Sequence, residues 1–387
     1  MPEPAAASFR LGAVTSALCR LGCNTEVFTT KFENALAQQT ERFRGGGVLS
    51  VRRWPVLRDR SGYVRGYLPY MSFDIPLFFR LLFDSKLQVL LVEPPPTTGA
   101  VARLACALRG TPYVWYAADV WSDATRTAGA PGIVSRGVEA LEKFAVRGAA
   151  GVVAVSDGVA ERVKELGARN VRVVPNGIDT LTYSPDVDPL SALELADLGV
   201  QGRYLLYAGT ASEWQEAEIF ASSLGSVLRK HSDLQLVYVG QGAHWEKIAD
   251  VASQLNAALG REAVLQLSQR PPQEVARLLR GADFALVSLA PGKGYDFAYP
   301  TKVLAALAAG TPVIYSGTGQ VAKDVRQHGL GYVAEHTSDG VETVVSTALE
   351  ADGSQFSPDR LHAWVVENRS LRAMGDEVAD FLLQCAR

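Results

Sequence analysis

The chain has 387 residues, 48% hydrophobic and 20% charged, and its 38 Lys and Arg against 41 Asp and Glu leave a net charge of -3. That length implies about two domains, the apolar fraction excludes long disorder, and the charge balance excludes a global attraction to nucleic acid. The four cysteines lack zinc or disulfide-framework spacing, and neither a run of ~18 apolar residues nor a signal sequence is present, so a cytoplasmic protein is expected, at most peripheral to the inner face of the membrane.

After a loop-like MPEPAAAS, residues 9–21 carry apolar side chains at helical spacing, and 25–30 follow as a strand. No strand precedes this helix. In a doubly wound sheet the first strand lies centrally, so the N-terminal domain is read as starting late, without its first strand. From Val48 to Pro69, Arg52, Arg53, Arg58, Arg60 and Arg65 are interleaved with Trp54, Tyr63 and Tyr67, ahead of an amphipathic stretch from Asp74 to Phe83. Basic residues beside aromatics suit anionic lipid or an anionic acceptor. A solvated edge strand followed by a core helix accounts for the same pattern and is preferred.

Short apolar runs at 88–92, 113–116 and 151–155 each lead into a helical pattern, and 171–174 adds a further strand, which together mean parallel β/α units. PNGIDTLTYSPDVDPL, from Pro175, is rich in Pro and Gly without periodicity and marks the domain boundary. The rhythm restarts with strands at 204–207, 234–239, 263–267, 284–288, 313–315 and 331–334. The expected fold class is α/β, with two Rossmann-like doubly wound domains facing across a cleft. They span 1–175 and 201–356, joined by a linker over 176–200 and followed by a helical segment over 357–387 that packs back across either domain.

The stretch 299–320, YPTKVLAALAAGTPVIYSGTGQ, reads as helix, tight turn and buried strand. Pro300 suits the first turn, Val303, Leu304 and Leu307 share a face, Gly310 ends the helix and Pro312 opens the strand. Ser316, Gly317, Thr318 and Gly319 then lead into another helix. Two helix N-termini with free N–H groups attract phosphate; an ordinary α/β core unit with a flexible loop is the alternative. Gly240-Gln241-Gly242 supply only two glycines of the dinucleotide fingerprint, with Trp245 in the third place. Phosphate-loop, HExxH and GxSxG patterns are absent, and the five histidines form no ligand cluster by spacing, so neither a metal nor a cofactor is expected. Asp119 and Asp123 flank Trp121 just after a strand end, a position suited to function or to helix capping.

PNGID at Pro175 to Asp179, Leu206-Tyr207-Ala208-Gly209, Val239-Gly240-Gln241-Gly242, the run from Val275 to Asp283, and Leu304 to Ile314 together resemble the family-four retaining glycosyltransferases of GT-B fold. Pro2-Glu3-Pro4 followed by Arg10 looks like the family's loop after its first strand. YAADVWSD at Tyr116 to Asp123 is similar to the subgroup that builds surface polysaccharides and transfers amino sugars. The resemblance implies metal-independent transfer of a sugar, with retention, from a nucleotide diphosphate sugar in the C-terminal half to a sugar or lipid-linked acceptor in the N-terminal half. It implies the donor diphosphate at Lys302, Thr301, Gly209, Thr210, Gly317, Thr318 and Gly319, with Lys293 also within reach. The nucleotide and sugar would meet Asp296, Gly240 and Gly242; Asn176 and Gly177 would lie between the domains, and Asp119 near the reacting sugar. Several family positions are substituted. Thr210 and Gln215 stand where two cations are usual, Phe297 and Ala305 where two carboxylates are, and Ala117 or Ala118 where a histidine is. These losses sustain a second reading, a degenerate GT-B protein that binds a nucleotide sugar, a glycan or a partner without turnover.

Overall fold

The computed structural model describes residues 6–31, 36–58, 64, 66–83, 87–127, 130–293, 295, 298–351 and 355–386. They form two compact units, Met1–Asn176 with Leu371–Arg387, and Gly177–Ser370. Among the described residues no helix is long and apolar enough to cross a membrane.

The first unit contains α1 (Ala6–Arg20), β1 (Thr25–Thr30), β2 (Gln38–Arg42), β3 (Val48–Trp54), α2 (Tyr67–Phe83), β4 (Leu90–Val92) and α3 (Pro96–Arg109). It continues with β5 (Tyr113–Ala117), α4 (Trp121–Thr127), α5 (Gly132–Gly148), β6 (Gly151–Ala154), α6 (Asp157–Leu166) and β7 (Val171–Val173). Its strands fall into two sheets, β1-β3-β2 and the parallel β4-β5-β6-β7. Every residue of β5 is buried, because both faces of its sheet are covered. The two-residue period of the strand sends Tyr113, Trp115 and Ala117 into a core with α2, α3, α5 and α6, and Val114 and Tyr116 into the opposite one.

The basic stretch is corrected in one respect. β3 is the middle strand of its sheet, parallel to β1 and antiparallel to β2, and not an edge. Its arginines serve that sheet: Arg52 pairs with Glu26 at 2.7 Å, and buried Arg53 donates to the Leu36 carbonyl at 2.9 Å and to Gln39. Arg58 donates to the Lys31 carbonyl at 2.9 Å, whereas Arg60 and Arg65 lie outside the described residues.

The second unit contains α7 (Ala192–Asp197), β8 (Arg203–Thr210), α8 (Glu218–Ser223), α9 (Gly225–Lys230), β9 (Leu234–Gln241), α10 (Trp245–Leu259), β10 (Val264–Ser268) and α11 (Pro272–Gly281). β11 (Phe284–Ser288), α12 (Thr301–Ala308), β12 (Val313–Ser316), α13 (Gly319–His328), β13 (Gly331–Ala334), α14 (Ser338–Glu350) and α15 (Pro358–Arg369) complete it. α7 lies within the 176–200 linker, after its aperiodic run, and is started by a capping box between Ser191 and Glu194. The six strands form one parallel sheet in the order β10-β9-β8-β11-β12-β13. Alternate residues of β8 supply two cores, Tyr204 and Leu206 on the face of α11, α12, α13 and α15, and Leu205 and Tyr207 on the face of α8, α9, α10 and α14.

The chain's last helix, α16 (Leu371–Cys385), returns to the first unit and lies along α1. Met374, Val378, Phe381 and Leu382 bury against Val14, Ala17 and Leu18 of α1 and against Tyr116. The helices approach so closely at Gly375 that a Cβ there would lie 2.6 Å from the Ala13 carbonyl oxygen. Overpacking of this kind costs about 1–3 kcal/mol. Gly375→Val is therefore expected to lower stability by that amount, read as a fall in the urea midpoint of circular dichroism.

Candidate functional site

The strand order of the second unit reverses between β8 and β11: the chain runs outward through β9 and β10, then returns to the other side of β8. Ligands of doubly wound sheets sit at the strands' C-terminal ends beside such a reversal. There β8 ends at Gly209 and Thr210, and α12, which follows β11, places Lys302 in its first turn. The Lys302 stem passes over Gly209, where a Cβ would come within 2.8 Å of its Cε. With no side chain in the way, the ammonium reaches the Tyr207 ring, 5.4 Å from its centroid. That is cation–π distance. Among the described residues no carboxylate pairs with it, and burial pushes its pKa down to about 8.

The neighbouring helix starts are open in different degrees. Neither Pro300 before α12 nor Thr318 before α13 makes a side-chain cap, so N–H groups of both first turns lack the partner a cap supplies. Thr301 is exposed. Gly317 is buried and its N–H donates to the Ala334 carbonyl, so of the Gly317-Thr318-Gly319 loop this group faces the sheet.

A second cluster crosses the same edge. Glu216, between β8 and α8, has φ +44°, the sole non-glycine residue with positive φ among those described. Its carboxylate takes the Lys293 ammonium at 3.0 Å on one oxygen and His336 Nε2 at 3.3 Å on the other. The other ring nitrogen of His336 lies 2.9 Å from the Ser316 hydroxyl at the end of β12. The Lys293 hydrogen bond, opposed by partial burial and assisted by His336, holds the Glu216 carboxyl below the usual range. The two loops are also tied by the Ala290 N–H to the Trp214 carbonyl at 2.9 Å and by Trp214 stacked on Tyr295, centroids 4.6 Å apart.

Other residues singled out in the sequence are placed differently. At the end of β9, a Cβ on Gly240 would lie 2.1 Å from the Gly209 carbonyl oxygen, and one on Gly242 2.3 Å from that of Ala211. Close packing of strand ends accounts for both glycines. Gln215 is buried, and its amide oxygen accepts from the Ser212 N–H at 3.0 Å, so it turns inward; Thr210 is exposed. Ala305 packs against the core of α12. Asp296 and Phe297 lie outside the described residues. Asn176 closes the first unit and Gly177 opens the second.

In the first unit, Asp119 follows β5, exposed at the C-terminal end of the sheet. Surrounding atoms raise its carboxyl pKa, and the charge of Arg10 opposes them. Arg10 is ion-paired with Glu93, which follows β4, and sits 5.7 Å from the Tyr116 ring centroid. The first N–H groups of α4 are met by a carboxylate from another helix. The buried Glu142 of α5 accepts from the Trp121 and Ser122 N–H groups at 2.8 and 3.0 Å, a carboxylate at a helix's positive end. Asp123 binds Arg126 and Arg162.

Sequence reasoning missed Glu216 and the part that His336 plays beside it. Only the position of Glu216, next to a substituted cation, could have drawn attention to it. Among the described residues no group of three or more His, Cys, Asp or Glu side chains is placed to hold a metal ion.

Residues 7–177 match the family model of the glycosyl transferase 4-like domain, and residues 202–351 match that of the glycosyl transferases group 1. The two matches follow one another over most of the chain, and the fold is the GT-B fold of glycosyltransferases. Anabaena HepE in complex with UDP and glucose is similar with a TM-score of 0.68 at 15% identity, over 99% of this chain and 97% of that one. Sucrose-phosphate synthase from Thermosynechococcus elongatus gives 0.68 at 16% identity, covering 98% and 93%. A UDP-forming α,α-trehalose-phosphate synthase from Burkholderia xenovorans gives 0.70 at 14%, covering 97% and 96%. At such identities the likeness is one of fold. No curated protein matches the sequence.

The unpaired lysine has a consequence for stability. Its folded pKa of about 8 lies below the ordinary 10.5, so below pH 8 the folded state carries the full cost of the buried charge. That cost is relieved as pH rises from 8 to 10.5, where the unfolded chain holds the extra proton. Lys302→Met is expected to raise the melting temperature at pH 7 by about 2–4 °C, the response to roughly 1 kcal/mol in a unit of this size. The gap to the parent protein should close across that pH window.

Proposed function

We propose that the chain is a retaining glycosyltransferase that moves a sugar from a nucleoside diphosphate sugar to a glycan, lipid-linked or small-molecule acceptor. The observation that carries this reading is Lys302, a partly buried cation with no carboxylate partner among the described residues, held at the strand-order reversal beside two uncapped helix starts. As the bond from the sugar to the diphosphate breaks, negative charge grows on the leaving phosphate oxygen. Lys302 and the N–H groups near Thr301 and Gly319 are the donors that stabilise it, fixed in place before the reaction. UDP and UDP-glucose in the solved HepE complexes favour a uridine nucleotide as the first probe. Asp119, beside Arg10, is the polar group assigned to the acceptor-binding unit. The YAADVWSD segment supports the surface-polysaccharide, amino-sugar subgroup.

A second reading, binding without turnover, is favoured by the inward turn of Gln215 and the neutral Thr210. Neither replaces a lost cation.

Calorimetric titration with UDP-glucose and a panel of other nucleotide sugars tests the donor site, with radiolabel transfer for any that bind. A charged contact is worth about 1.5–3 kcal/mol, so Lys302→Ala is expected to weaken donor binding roughly ten- to a hundredfold. Because the protonated amine binds the anion, affinity should fall as pH rises through 8, with proton uptake on binding near that pH. Unchanged affinity in Lys302→Ala removes Lys302 from the site, and binding without transfer to any acceptor selects the second reading.

A further inference from the structure

The Glu216 cluster supplies what the substituted positions lack. Its carboxylate starts beyond β8 and meets partners that follow β11 and β13. Since the sheet runs β8-β11-β12-β13, the carboxylate spans the C-terminal ends of β11 and β12, the strands that lead into α12 and α13. An acidic side chain thus lies across the edge where the proposed donor phosphates would sit. It takes a cation on one oxygen and a ring N–H on the other, the contacts a phosphate oxygen would make. Its backbone is held at φ +44°, a left-handed conformation that is strained for a non-glycine residue. The Ser316 hydroxyl at His336 Nδ1 sets the ring so that Nε2 is the nitrogen presented to the anion. His336 itself is 8% exposed and fixed, whereas Lys293 is half exposed.

We propose that Lys293 and the ring N–H of His336 form the missing donor side of a nucleoside diphosphate site, and that Glu216 occupies it as an internal anion until the ligand's phosphate displaces it. The inference rests on the reading of the second unit as the donor-binding one. Displacement breaks the Lys293 ion pair and the His336 hydrogen bond and forms their equivalents to phosphate, so it exchanges one anion for another. The residual cost to the ligand is the negative charge of Glu216 left nearby.

UDP is the probe, titrated by calorimetry into the full chain. Glu216→Gln keeps the side chain's shape and removes its charge, and is expected to tighten UDP binding about tenfold. Glu216→Gly removes the carboxylate and accommodates the positive φ, and should show the same gain should the amide variant be poorly folded. Adding His336→Ala to either variant should abolish the gain. If the parent protein binds UDP and both Glu216 variants bind it equally or more weakly, the inference is overturned and the donor reading stands. No binding of UDP or of any other nucleoside diphosphate in the panel by the parent or either variant overturns both.

Discussion

The second unit depends on where β8 lies. As the first strand of its sheet it takes a central position, and the later return to its other side brings β11 and the start of α12 next to its end. All strands being parallel, their C-terminal ends share one edge, and the loops that leave it hold nearly every polar group discussed. Gly209 lets the Lys302 stem cross that edge. A lysine buried there is unfavourable for folding, and its depressed pKa reflects that conflict.

Two kinds of anchoring coexist along this edge. Lys302 is positioned by packing alone, on a tyrosine face and a glycine backbone. Lys293 and His336 are positioned by a carboxylate from another loop. The first keeps its charge unneutralised and its pKa low; the second lowers the carboxyl pKa of its partner. An anion arriving from solvent would act oppositely on the two, raising the pKa of one group and releasing the other.

The fold was legible because parallel strands covered on both faces give unbroken apolar runs. The strands expected beyond residue 200 all occur, with ends shifted by three residues at most, as in β8 (Arg203–Thr210). β2 escaped because QQTER is exposed along its whole length and carries no apolar signal. β3 gave an apolar and basic pattern that reads as an edge, because its arginines pair with neighbouring strands in a way local spacing does not encode. The site was half legible. Lys302 and the glycine loop follow from local turn and helix chemistry, whereas Glu216 and His336 meet across 120 positions of sequence. Gly240 and Gly242 looked like ligand contacts because the backbone freedom that suits a phosphate also suits the close approach of two strand ends.

The stack of Trp214 on Tyr295 has an optical meaning. Trp214 lies two residues before Glu216, and its ring is held face to face with an aromatic from the opposite loop at 4.6 Å between centroids. Indole emission responds to such contacts, so this residue is a native fluorophore at the junction of the two loops. Any event that separates them would change its spectrum without an attached dye, and the protein carries its own indicator of the state of that edge.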